Sequence, residues 1–203
     1  AREFVEEILW DALRVRGIYV GENTAFGHGR SGDVRFLASE GRRLGFAVGV
    51  VDPVVVEGRR ISSTRVRHSI LAGDMPLAAR LIGRHHRVVG AVVEGDQRGR
   101  EIGFPTANIE PDGGLLPPHG VYAAWANLGD GGRYPAVVNI GVRPSFARDT
   151  DNPDASPPVL VEAHLIDFDG DLYGRELALA LVQRQRDEAV FPGAKALGRQ
   201  IRA

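Results

Sequence analysis

The chain has 203 residues, a length that accommodates one large domain or two small ones, each able to bury a core. Hydrophobic residues make up 43% and charged residues 25%, a balance that is typical of globular proteins and argues against disorder. A formal net charge of -1 gives no general attraction to nucleic acid or to an anionic membrane, so any recognition of phosphate must be local. Cysteine is absent, which excludes disulfides, Cys-ligated zinc and thiol nucleophiles.

The N-terminal part of the sequence predicts alternating helices and strands. In chain order the predicted elements are a helix at 4–15, a strand at 18–21, a glycine-rich loop at 26–33, a helix at 34–43, a strand at 46–56, a helix at 65–71 capped by Ser62-Ser63-Thr64, and a short helix at 76–82. This order indicates half of a doubly wound α/β domain, which we assign to residues 1–83. Such a sheet ordinarily begins with a strand and a phosphate-binding turn, so we expect the domain to be truncated.

Residues 84–203 predict an all-β domain. Short segments of alternating hydrophobicity, separated by Gly and Pro, lie at 87–93, 121–128, 134–139, 159–166 and 176–182. This pattern is typical of a small antiparallel barrel or sandwich. In the fourth segment, Glu162 and His164 share one face, and a carboxylate beside an imidazole indicates a site. His164 is equally compatible with packing beside the barrel.

A glycine-rich stretch follows the first of these segments. Gly95, Gly99 and Gly103 allow tight turns whose exposed N–H groups can cradle phosphate oxygens. Arg98 and Arg100 can add charge-assisted contacts. The glycine spacing by itself is more typical of a hairpin turn, and the Gly-Lys-Ser/Thr ending of a P-loop is missing.

Thr106 and Asn108 are separated by one residue and follow Pro105. In a strand this spacing puts both side chains on one face. Both are hard oxygen ligands, which together with phosphates and waters can complete an octahedral Mg²⁺ shell. The two residues are therefore candidate metal ligands.

The stretch Gly103-Phe104-Pro105-Thr106-Ala107-Asn108 resembles the signature of the riboflavin kinase family. Further motifs of that family follow in its order across nearly all of residues 84–203. They are Leu116-Pro117, Gly120-Val121-Tyr122, Asn139-Ile140-Gly141, Arg143-Pro144-Ser145-Phe146, Glu162-Ala163-His164-Leu165, Phe168-Asp169-Gly170-Asp171-Leu172-Tyr173-Gly174, Arg186-Asp187-Glu188 and Phe191. Ser145 replaces the family's usual threonine but keeps the hydroxyl.

The resemblance implies a six-stranded antiparallel barrel with a C-terminal helix, and ATP and a flavin bound between loops at one end. It also implies an enzyme that transfers the γ-phosphoryl group of ATP to the ribityl 5′-hydroxyl of riboflavin, giving FMN and ADP. In this resemblance Thr106 and Asn108 hold Mg²⁺ and the nucleotide phosphates, and Glu162 is the base facing the 5′-hydroxyl, which suits phosphoryl transfer. The implied ATP site also contains Gly95, Gly99, Arg100, Gly103 and Pro105.

The first part of the chain resembles the second half of the FMN adenylyltransferase domain of bacterial bifunctional FAD synthetases. The matching stretches are Val20-Gly21-Glu22, Phe26-Gly27-His28-Gly29-Arg30-Ser31-Gly32-Asp33 and Ile61-Ser62-Ser63-Thr64-Arg65-Val66-Arg67. Ser63 and Thr64 at a helix N-terminus offer hydroxyl and N–H groups to a triphosphate, with Arg67 alongside. The first half of that domain has no counterpart here. The resemblance therefore implies FAD synthesis for a parent protein and leaves it open for these residues.

Two other classes of protein compete with the enzyme hypothesis. A non-catalytic flavin- or nucleotide-binding module of the same family is disfavoured because Thr106, Asn108 and Glu162 are all intact. An oligonucleotide-binding barrel would need basic and aromatic residues on its sheet, and only 7% of the residues are aromatic. We expect small-molecule substrates as partners, with neither nucleic acid nor membrane, and a cytoplasmic location because no signal-peptide-like start or long apolar span is found. No pattern predicts the oligomeric state.

Overall fold

The computed structural model describes residues 1–95, 104–142 and 159–188, and the chain divides into two compact units, Ala1–Ile61 and Ser62–Ala203. In the first unit, a π-type N-terminal helix (Phe4–Ala12) and α1 (Val34–Leu44) accompany a parallel sheet of two strands, β1 (Gly17–Gly21) and β4 (Ala47–Val51). The α/β character predicted for this part is confirmed.

The core of the first unit is small. Val5 and Leu9 lie one helical turn apart, which brings both onto the face that packs with Leu37 and Phe46. Asp33 caps the N-terminus of α1, and its carboxylate accepts a hydrogen bond from the N–H of Phe36 at 2.7 Å.

Two short hairpins complete the first unit. They are β2 (Ala25–Phe26) with β3 (Gly32–Asp33), and β5 (Val55–Val56) with β6 (Arg59–Arg60). The strand predicted at 46–56 is therefore two separate strands. Pro53 lies between them, and proline has no N–H to donate to a strand ladder.

The second unit is a closed six-stranded barrel. Its strands are β7 (His86–Val93), β8 (Ala107–Pro111), β9 (Gly120–Leu128), β10 (Arg133–Val142), β11 (Val159–Leu165) and β12 (Glu176–Arg186). All neighbours are antiparallel, in the order β10-β11-β8-β7-β12-β9. The barrel implied by the resemblance is confirmed. The C-terminal helix that it also implied lies outside the described residues.

Alternating residues of the strands fill the barrel. Tyr122, Val138, Ile140, Val161 and Leu179 are all fully buried in this core. Their chain neighbours therefore point outwards, because successive side chains of a strand lie on opposite faces.

Two helices precede the barrel in the second unit. Helix α2 (Ser63–Leu71) is capped by Ser62, and α3 (Met75–Ile82) is capped by Asp74. Their buried Ile70, Met75 and Ala78 belong to the same hydrophobic cluster as the barrel residues. The sequence-based division after residue 83 stays a prediction.

In the described residues, no helix is both long enough and apolar enough to cross a membrane.

The close approach of β7 to β8 depends on a glycine. A Cβ atom at Gly90 would lie 1.9 Å from the carbonyl oxygen of Glu110. We expect Gly90→Ala to lower the free energy of unfolding by roughly 1–3 kcal/mol, because the clash is with backbone and the strands must separate. Urea denaturation followed by circular dichroism measures this. Gly129→Ala is the matched control, since nothing lies within 4 Å of its new methyl group; equal stabilities of the two variants would contradict the prediction.

Candidate active site

Three polar side chains stand in a row across neighbouring strands of the barrel. Glu162 on β11 pairs with Asn108 on β8 and with Asn139 on β10. Val161 and Ala163, on either side of Glu162, are fully buried, so the Glu162 side chain lies on the outer face. Directly paired residues have Cβ atoms about 4.5–5.5 Å apart. The structure therefore brings Glu162 next to one predicted metal ligand, Asn108.

Asn108 is buried, with 6% of its surface exposed, and its Oδ1 atom has no hydrogen-bond partner among the described residues. Buried polar atoms in proteins are almost always hydrogen bonded, and an unpaired one costs about 1–3 kcal/mol. A buried carbonyl oxygen without a partner fits the coordination of a hard cation such as Mg²⁺. The residue present at this position is thus compatible with the metal role predicted from the sequence.

Gly95 makes room for the Asn108 side chain. A Cβ atom at Gly95 would lie 1.9 Å from Nδ2 of Asn108, so a larger residue here would push the amide aside. The predicted contribution of Gly95 to a phosphate cradle stays a prediction. Gly99, Arg100 and Gly103 lie outside the described residues, and their predicted roles also stay predictions.

Thr106 immediately precedes β8 and is exposed. Together with Pro105 it lines a cavity of about 200 Å³ at one end of the barrel. The connection between β11 and β12, including Asp169, Asp171 and Tyr173, also lines this cavity. Asn108 and Glu162 are not part of the cavity wall. The cavity therefore includes one of the two predicted metal ligands, Thr106, in its wall.

The sequence does not predict the part of this cavity that lies between β11 and β12. Residues 168–174 resemble a family motif, but the resemblance implies no role for any one of them. Two aspartates flanking Gly170 in a loop were the available signal.

A second carboxylate lies near the polar row. A Cβ atom at Gly141 would be 2.2 Å from Oε1 of Glu188, so the Glu188 side chain rests against Gly141. Gly141 is two residues along β10 from Asn139 and on the same face. The sequence alone does not place Asn139 or Glu188 in the site, although both belong to motifs that resemble the family.

In the described part of the chain, no group of three or more His, Cys, Asp or Glu side chains could hold a metal ion. Thr106 and Asn108 offer two neutral oxygen ligands. A Mg²⁺ ion bound there would take the rest of its six ligands from waters and from a phosphorylated substrate, as is common for this ion.

Some motif residues serve the fold instead. Tyr122 is fully buried and its hydroxyl donates a hydrogen bond to the carbonyl of Pro118. Burial raises the pKa of this phenol above its ordinary value, and the nearby Arg184 guanidinium opposes that shift. Tyr122 thus anchors the segment leading into β9.

The residues predicted for a triphosphate site lie together on α2. Ser63 and Thr64 occupy its first turn and are exposed, and Arg67 is exposed one turn later. The Ser62 hydroxyl accepts a hydrogen bond from the N–H of Arg65 at 3.2 Å. The helix begins two residues earlier than predicted, which leaves Ser62 as the cap.

Comparisons with known proteins identify the family. The family model described as riboflavin kinase, or flavokinase, matches residues 82–203, and the model described as FAD synthetase matches residues 1–65. The chain belongs to the riboflavin kinase family and carries part of an FAD synthetase region before the kinase region.

Named relatives agree with this assignment. The chain is 41% identical to a bifunctional riboflavin kinase/FMN adenylyltransferase of Pseudomonas fluorescens, covering 100% of this chain and 63% of that protein. It is 38% identical to the protein of the same name from Escherichia coli K12, and the match covers 99% of this chain and 62% of that protein. The chain thus spans less than two thirds of the length of these curated relatives.

A solved structure shares the fold. The crystal structure described as a macrolide-efflux protein from Streptococcus pneumoniae superposes with a TM-score of 0.82 at 29% identity, covering 100% of this chain and 62% of that chain.

The unpaired oxygen of Asn108 leads to a stability prediction. We expect Asn108→Leu to leave the free energy of unfolding unchanged or to raise it by up to about 1 kcal/mol, because a buried acceptor without a partner is removed. Chemical denaturation measures the difference.

Asn127→Leu provides the matched control. Nδ2 of Asn127 donates to the carbonyls of Trp125 at 3.2 Å and Ala178 at 3.1 Å. Losing these bonds should cost roughly 1–2 kcal/mol. If Asn108→Leu lowers the free energy of unfolding more than Asn127→Leu does, the Asn108 amide stabilises the fold and the prediction is wrong.

Proposed function

We propose that this chain is a riboflavin kinase, transferring the γ-phosphoryl group of ATP to the ribityl 5′-hydroxyl of riboflavin to give FMN and ADP. The observation that carries the proposal is the pairing of Glu162 with Asn108, whose buried oxygen has no partner among the described residues, in a chain of the riboflavin kinase family. A base beside a cation ligand is the arrangement that phosphoryl transfer to a hydroxyl needs.

Thr106 and Asn108 are the proposed protein ligands of Mg²⁺. When bound, the ion supplies positive charge that neutralises the nucleotide phosphates. The Asn108 amide is held in place by the ladder with β11 and by the close contact with Gly95. This rigid support suits a group that must orient phosphates before the reaction.

The cavity beside Thr106 is the proposed site of the adenosine part of ATP. Its wall combines apolar side chains, among them Val92, Leu165 and Leu172, with the carboxylates of Asp169 and Asp171. Apolar walls with a few polar groups are typical of small-molecule sites. Thr106 lines the same cavity, so a nucleotide bound there would contact one of the two proposed cation ligands.

Glu162 is the proposed general base. Its carboxylate would accept the proton of the 5′-hydroxyl as the oxygen bonds to the γ-phosphorus and the bond to the ADP oxygen breaks. General-base assistance of this kind contributes typically about 10²–10⁴ to the rate. The Glu162 side chain lies between two asparagines, so amide groups flank the carboxylate on both sides.

The alternative, a non-catalytic flavin- or nucleotide-binding module, is not favoured, because Glu162 and both proposed cation ligands are present. FMN adenylyltransferase activity is proposed only for a longer parent protein, with Ser63, Thr64 and Arg67 contacting a triphosphate. A cytoplasmic location remains a prediction from the sequence.

The direct test incubates the purified chain with riboflavin, ATP and Mg²⁺ and separates the flavins by chromatography. We expect FMN without FAD, because the barrel is closed whereas the FAD synthetase model matches only residues 1–65. Absence of FMN at any Mg²⁺ concentration would refute the kinase assignment. Formation of FAD would refute the view that the first unit is insufficient for adenylyl transfer.

Glu162→Gln separates chemistry from binding. The variant keeps the side-chain shape but cannot accept a proton, so the single-turnover rate should fall by roughly 10²–10⁴. Dissociation constants for riboflavin and ATP should change little, because other residues are proposed to bind them. Glu176→Gln is the control: it removes an exposed carboxylate from β12, three strands away from β11. If both variants react at the wild-type rate, Glu162 is not the base.

A further inference from the structure

His164 makes a specific contact with the segment that carries Thr106. Its Nδ1 atom lies 2.8 Å from the carbonyl oxygen of Pro105. A carbonyl can only accept a hydrogen bond, so Nδ1 must carry the proton. The same ring meets Phe104 edge to face, with centroids 5.5 Å apart and an interplanar angle of 77°. One side chain therefore contacts both residues that precede Thr106.

The position of Thr106 needs such support. The paired register of β8 and β11 ends at Ala107 and Ala163, so Thr106 and His164 are the next residues beyond the ladder. Pro105 cannot extend the ladder with an N–H of its own. The bond to the Pro105 carbonyl fixes the orientation of the peptide plane between Pro105 and Thr106. Beyond the end of the β8–β11 ladder, this side-chain hydrogen bond therefore does what backbone pairing does within the ladder.

His164 also stands on the strand that carries the proposed base. Glu162 and His164 are separated by one residue on β11 and share its outer face, while Ala163 between them is fully buried. The imidazole therefore ties the Thr106 segment to the same rigid strand as Glu162. A displacement of Thr106 relative to Glu162 would require breaking this contact.

We propose that His164 is a positioning residue, which holds Thr106 at a fixed distance from Glu162 through its hydrogen bond to the Pro105 carbonyl and its contact with Phe104. This proposal rests on the kinase function proposed above. It assigns His164 no proton transfer and no contact with substrate. Its effect is on the binding of the nucleotide with its cation, where Thr106 is the proposed ligand, and not on riboflavin.

The test compares His164→Leu with His164→Asn. Leucine removes the donor, whereas the amide nitrogen of asparagine can take the place of Nδ1 and donate to the same carbonyl. We expect His164→Leu to raise the KM for Mg-ATP roughly three- to tenfold, the loss typical of one hydrogen bond, with the KM for riboflavin changed less than about twofold. His164→Asn should bring the KM for Mg-ATP most of the way back to the wild-type value. The affinity for Mg-ADP, measured by calorimetry in the absence of turnover, should decrease in the order wild type, His164→Asn, His164→Leu.

His86→Leu is the matched control. His86 on β7 also has a ring nitrogen, Nε2, at 2.8 Å from a backbone carbonyl, that of Leu115. Loss of that contact should lower the melting temperature without changing the KM for Mg-ATP. An unchanged KM and Mg-ADP affinity in His164→Leu, or equal losses in His164→Leu and His164→Asn, would overturn the positioning role.

A spectroscopic measurement separates this proposal from the kinase assignment. The ¹⁵N shifts of the His164 ring in the full chain, assigned by their disappearance in His164→Asn, report which nitrogen carries the proton at neutral pH. A protonated Nδ1 supports the contact with Pro105, and a ring protonated only on Nε2 overturns it. If wild-type protein forms no FMN while Nδ1 is protonated and the Mg-ADP affinities follow the expected order, the kinase assignment fails and the positioning role stands.

Discussion

The site depends on a short ladder between two strands that are far apart in the sequence. β8 and β11 pair through Ala107 with Ala163, Asn108 with Glu162, and Ile109 with Val161. The outer pairs bury small or branched side chains in the barrel, and the middle pair faces outwards. Because a shift by one residue would turn every side chain to the other face, burial of the apolar pairs keeps Asn108 and Glu162 side by side. Apolar packing thus holds the proposed base and a proposed cation ligand next to each other.

Much of the barrel could be predicted from alternation. Five of its strands overlap segments in which apolar and polar residues alternate, and Val161 and Ala163 lie on the predicted face. β8 is not among the predicted segments, although Thr106, Ala107, Asn108, Ile109 and Glu110 alternate between polar and apolar residues. The alternation is short and is bounded by Pro105 and Pro111, and proline is uncommon inside strands. The strand that carries a proposed cation ligand is therefore the one that the sequence indicates least clearly.

The candidate site was only partly predictable for a related reason. Thr106, Asn108 and Glu162 were named from residue chemistry and from the resemblance, but no local pattern reveals which strands become neighbours. Strand pairing between distant segments brings Asn139 beside Glu162. Likewise, the cavity wall around Asp169 and Asp171 exists only because the β11–β12 connection folds next to Pro105. Local sequence patterns predict individual strands and helices, whereas the pairing between distant strands determines which residues meet in the candidate site.

Asn108 illustrates how the barrel accommodates a functional group at some cost. Its neighbours Ala107 and Ile109 contribute to the core, while its own oxygen is buried without a partner in the described residues. A sequence selected for stability alone would favour an apolar residue there, since local rules are usually broken only where function requires it. Gly95 contributes to the same accommodation, because a Cβ atom at this position would lie 1.9 Å from Nδ2 of Asn108. The two positions must therefore be considered together, because a side chain at position 95 would displace the Asn108 amide, whose oxygen, unpartnered in the described residues, is a proposed cation ligand.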